Sequence, residues 1–67
     1  MNPKKLQAIE VYWNNIKRKV PNEMYRFLDL YISPEYVYDL FERNVAVDIV
    51  VNQVVYEYNK YQSAALN

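Results

Sequence analysis

Sixty-seven residues make one domain, and a domain of this size buries only about 60% of the surface its unfolded chain exposes, so its own core leaves it marginal. The chain has no Cys and no His, which removes disulfides, thiolate and imidazole metal ligands, and the side chain most used for acid–base catalysis near neutral pH. Eight Lys plus Arg balance eight Asp plus Glu, so no net field steers the chain toward a polyanion.

No apolar run approaches the roughly 20 residues of a membrane span, and the polar start MNPKKLQ is not that of a signal peptide. The expectation is a soluble, cytoplasmic protein with no membrane contact. Glycine is absent, which works against tight hairpins and phosphate loops and favours short helices joined at Pro and Asn. With disulfides and zinc gone, oligomerisation is the remaining way to stabilise so small a fold.

Pro3 suits a first helical turn, and Asn2 suits the N-cap before it. Leu6, Ile9, Trp13, Ile16 and Val20 then recur at spacings of three and four, widened by Tyr12, which predicts a first helix from about Pro3 to Lys19. Pro21 forbids its continuation. Asn22 is a candidate cap for a second, short helix with Met24, Phe27, Leu28 and Tyr31 inward and Arg26 and Asp29 outward. Ser33-Pro34-Glu35 is the clearest start signal: an N-cap hydroxyl, proline at the first helical position, and a carboxylate placed for the helix dipole. The third helix should turn Val37, Leu40 and Phe41 inward and stop near Asn44, which tolerates left-handed backbone and is also a candidate cap for the next helix.

From Asn44 onward, at about 100° per residue, Val47, Val50, Val51, Val54, Tyr58, Tyr61 and Ala65 share one stripe, with Asp48, Asn52, Asn59, Gln62 and Ser63 opposite. Val45, Val47, Ile49 and Val51 alternate as a strand would, but alternation fails at Val50 and no turn follows to return a hairpin. A fourth helix to about Ala64 is therefore predicted, held by packing because β-branched residues are indifferent helix formers. The chain as a whole reads as one all-α helical domain over residues 1–67. It is a small bundle of about four helices, two short central ones between a longer first and last. The short pair cannot cover the long pair, so the ends of helices one and four stay open, and Ile49, Val55 and Tyr56 lie off the main stripe. A symmetric dimer through helix four or helix one would cover them.

Catalytic inventory is thin. Besides tyrosines, the only hydroxyls are Ser33, used as a cap, and Ser63, in the last turn, so no enzyme and no cofactor is expected. Glu35, Asp39 and Glu42 share one face of helix three. A hard cation would usually want loop carbonyls as well, so a solvated acidic face moderated by Arg43 is the expectation, with no metal. That face also argues against reading Tyr25 to Arg43 as a helix-turn-helix, because its carboxylates would repel phosphate.

Eight tyrosines, one Trp and two Phe are the most unusual feature. Tyr12, Tyr25, Tyr31, Tyr58 and Tyr61 fit inward or border positions, whereas Tyr36 and Tyr38 sit less easily inside. Aromatic rings are enriched where interfaces concentrate their energy, so the surplus points to a partner-binding surface of Trp13, Tyr36, Tyr38, Ile49, Val55 and Tyr56. The function expected is a small non-enzymatic protein–protein interaction module, a regulator, inhibitor or assembly factor that self-associates through an aliphatic and aromatic helix surface. Its size and lack of chemistry would suit an accessory protein of a virus or mobile element. The alternative is a small dimeric DNA- or RNA-binding protein that contacts phosphates with Lys4, Lys5, Lys17, Arg18 and Lys19, although consecutive residues fan around a helix instead of lining one face.

Overall fold

A computed structural model describes residues 2–66, all of whose regular structure is helical. Helix α1 spans Pro3–Lys19, a single 3₁₀ turn covers Asn22–Met24, and α2 (Tyr25–Tyr31), α3 (Pro34–Glu42) and α4 (Val47–Leu66) follow. The molecule measures 46 × 18 × 18 Å, elongated because α4 alone, at 1.5 Å per residue, is about 30 Å long. No helix among the described residues is long and apolar enough to cross a membrane.

The ends of α1 and α3 follow from local chemistry. The Asn2 side chain accepts a hydrogen bond from the Lys4 N–H at 2.8 Å, and Pro3 occupies the first helical position, where a missing N–H costs nothing. Ser33 Oγ accepts from the Tyr36 N–H at 3.2 Å ahead of Pro34. At the other end of α3, Asn44 takes φ 56°, the Asn44 N–H donates to the Phe41 carbonyl and the Val45 N–H donates to the Leu40 carbonyl. Together these bonds make a Schellman closure, with half-buried Val45 following and buried Leu40 one turn back.

Two boundaries differ from expectation. Asn22 does not cap the second helix. The chain leaves Pro21 in a 3₁₀ turn, closed by the Met24 N–H on the Pro21 carbonyl at 2.9 Å, and α2 begins only at Tyr25 with no side-chain cap. Asn44 does not start α4 either, because the Schellman closure uses Asn44 and Val45 in the connector. The Ala46 carbonyl instead takes the first N–H groups, from Ile49 and Val50, and α4 begins at Val47.

The core is a single apolar cluster of Ile16, Val20, Met24, Leu28, Ile32, Val37, Leu40, Val50 and Val54, with no polar or charged residue buried among the described residues. Each helix supplies part of it, as do the 3₁₀ turn through Met24 and the connectors at Val20 and Ile32, while half-buried Val45 of the α3–α4 connector packs against it. Helix α1 packs on α3 and α4, and α2 packs on α4. Tyr12 ties the first contact together: its hydroxyl donates to the Val45 carbonyl at 2.7 Å and its ring meets Phe41 edge-on. Tyr25 reaches back to donate to the Lys17 carbonyl, one of the acceptors a helix leaves open in its last turn. Both ends of the long pair are uncovered. Leu6, expected in the α1 seam, is 50% exposed, and Tyr61 and Ala65, expected on the inward stripe of α4, are exposed, although the Tyr61 ring still lies beside Phe27 of α2.

Candidate partner-binding surfaces

Two open apolar grooves flank the core. The first, about 350 Å³, lies between α1, the end of α2 and the start of α3; Ile9, Trp13, Ile32, Pro34 and Val37 wall it, with Glu10 and Asp29 on its rim. The second, about 470 Å³, lies between the outer face of α2 and the last turns of α4. Phe27 is its centre: the ring stacks on Tyr31 at 5.4 Å, meets Tyr58 edge-on at 5.7 Å and lies 5.8 Å from Tyr61. Leu30 stands beside these rings and is 87% exposed, and Glu23, Arg26 and Gln62 complete the rim. Volumes of this size also suit small ligands, but such sites carry precisely placed polar groups inside an apolar wall. Neither groove has a buried polar residue, so both are shaped for apolar side chains.

The chain matches no family model, no curated protein and no solved structure.

The six residues expected to face a partner are dispersed. Trp13 walls the α1–α3 groove, half-buried, with the Lys17 ammonium 5.7 Å from its ring centre. Tyr36 and Val55, expected to be free, are instead half-buried against the core. Tyr36 is held edge-on to Tyr31 by the short Ile32-Ser33 connector, and Val55 is drawn in because α1 and α2 both pack on α4 and widen its covered arc. Tyr38 is at the surface, where its hydroxyl accepts from Lys5 Nζ at 3.3 Å. Ile49 and Tyr56, 58% and 65% exposed, share the face of α4 that points away from Val54.

The five basic residues are spread over α1, and three of them have partners in the chain. Lys5 is engaged by Glu42, which raises its pKa and lowers that of Glu42, and Lys19 Nζ donates to Asp48 Oδ1 at 2.7 Å. Lys17 lies over Trp13, and Lys4 and Arg18 are exposed near opposite ends of α1. The acidic face of α3 is likewise divided: Glu42 meets Lys5, and Asp39 meets Arg43 at 2.8 Å, one helical turn on. Among the described residues, no group of three or more carboxylates is placed to share a metal ion.

Sequence reasoning overlooked the α2–α4 groove. Phe27, Tyr31 and Tyr58, expected inward, are half-buried against the core as expected and at the same time wall the groove, while Tyr61 is exposed on it. The available signal was Leu30, a lone large apolar residue on the outward stripe of Glu23 and Arg26.

Proposed function

We propose that this protein is a small, non-enzymatic interaction module that pairs with a second copy of itself through the α2–α4 groove. The observation that carries the proposal is Leu30, 87% exposed against a wall of four aromatic rings. A contiguous apolar patch of this kind is what monomers avoid and interfaces use. Its rim supports a second copy as the occupant. Glu23 and Arg26 have no ion-pair partner in the chain among the described residues, and a two-fold axis sets residue i against j and j against i. Glu23 of one copy would then face Arg26 of the next, twice, so the patch complements itself in charge as well as shape. The exposed last turns of α4 lengthen the available seam. On this reading the protein acts in the cytoplasm as a regulator, inhibitor or assembly factor by occupying a protein surface. Phosphate binding by α1 gains no support, since Lys5 and Lys19 already hold carboxylates.

Sedimentation equilibrium over a range of concentrations tests this. The chain should show a concentration-dependent dimer, and Leu30→Asp should be monomeric with an unchanged circular dichroism spectrum and thermal midpoint, because so exposed a side chain holds little of the monomer together. Dimerisation that survives Leu30→Asp but is lost in Tyr56→Ala would move the seam to the outer face of α4 and overturn the groove assignment.

A further inference from the structure

The α1–α3 groove differs from its neighbour in charge. Its walls are apolar, yet the two charged residues that line it, Glu10 and Asp29, are both acidic, exposed and without an ion-pair partner among the described residues. Three carboxylates in the chain, Asp39, Glu42 and Asp48, are engaged by cations of the chain, whereas these are not. The Lys17 ammonium lies 5.7 Å from the centre of the Trp13 ring. A second copy docked here about a two-fold axis would set acidic rim against acidic rim, which interfaces use to exclude wrong partners.

We propose that the α1–α3 groove binds an amphipathic helical segment of another protein, with its apolar side chains on Trp13 and Val37 and its flanking Arg or Lys residues on Glu10 and Asp29. An apolar anchor row laid into an apolar groove is the helix-in-groove mode of recognition, and the acidic rim adds the preference for basic flanks. The rim charges are exposed, so they orient the segment and speed encounter, and their effect is screened over about 8–10 Å by physiological salt. The inference deepens the interaction-module reading and rests on it only in taking the occupant to be protein. It does not need the α2–α4 dimer, because the groove is complete within one chain.

Trp13 is the only Trp in the chain and walls the groove, so its fluorescence reports occupancy directly. The probe is a Trp-free amphipathic peptide with leucines at i, i+4 spacing flanked by arginines, and its twin has glutamates in place of the arginines. The full chain titrated with the arginine peptide should show a blue shift of Trp13 emission that saturates and weakens as salt rises, and the glutamate twin should give none. Glu10→Gln combined with Asp29→Asn should weaken arginine-peptide binding at least about fivefold at low salt, in line with two exposed charge contacts. Glu57→Gln, on the α4 side, should not. Equal binding of the two peptides, full affinity in the double variant, or an unmoved Trp13 spectrum would each overturn the proposal. So would a Trp13 shift on raising the protein concentration without peptide, which would give the groove to a second copy. Failure of the α2–α4 dimer would change the sedimentation result and leave this titration as it is.

Discussion

Val54 has no exposed surface, and the whole fold closes on it from α4. Val54→Asp would put an unpaired carboxylate into a core that holds no polar residue, at a cost of several kcal/mol. A domain of this length has roughly 3–10 kcal/mol in total. The variant should therefore lack a cooperative thermal transition, and a midpoint equal to that of the parent chain would contradict the assigned core. Tyr12 makes a finer point. Burial holds its hydroxyl neutral, raising its pKa above the ordinary 10.0, with the neighbouring Tyr36 adding to the effect. Because the folded value is the raised one, this stability is fully present below pH 10.0 and is lost as pH rises through the folded pKa. Tyr12→Phe removes the bond to the Val45 carbonyl and should cost about 1 kcal/mol near neutral pH. Urea denaturation on either side of the ordinary tyrosine pKa should show a smaller alkaline loss in Tyr12→Phe than in the parent chain.

Among the elements, α1 and α3 were legible at their starts because capping is local: Asn2-Pro3 and Ser33-Pro34 carry the whole instruction within a few residues. Asn44 was legible as a left-handed stop for the same reason. It was not legible that one residue cannot both close α3 and open α4, since that depends on which carbonyls the next N–H groups reach. The αL geometry makes a clean test. Asn44→Gly should leave stability unchanged or slightly raised, because glycine takes positive φ freely, whereas Asn44→Val should lose about 1–2 kcal/mol by chemical denaturation. Equal losses in the two would show that the Asn44 side chain, and not its backbone, holds the turn. In α4 the stripe was read correctly through Val47, Val50, Val51 and Val54, whereas Tyr61 and Ala65 stay exposed although the Tyr61 ring lies beside Phe27 of α2. Periodicity marks the face a helix can bury. Whether it is buried depends on the length of the neighbouring helix.

At the scale of the molecule, four helices, their order and the shared apolar core could be derived from the residues, whereas the grooves could not. A groove is set by the distance between helices, so periodicity places Phe27, Tyr31 and Tyr58 against the core, where they do pack, without showing that they also wall a groove beside Leu30. The dispersal of Trp13, Tyr38, Ile49 and Tyr56 has the same origin: Trp13 packs on the edge of the core, Tyr38 lies at the surface of α3, and Ile49 and Tyr56 share the outer face of α4. What results is an elongated body with a small core and an aromatic face that carries one acid and one base on its rim, and pairing of that face is the central claim. The most direct test is isotope-filtered NMR on a mixture of labelled and unlabelled chains. Nuclear Overhauser contacts between copies should run from the Leu30 methyl groups to the Phe27 and Tyr61 rings; contacts between copies confined to Ile49 and Tyr56, or none at concentrations where sedimentation shows a dimer, would contradict pairing through this face.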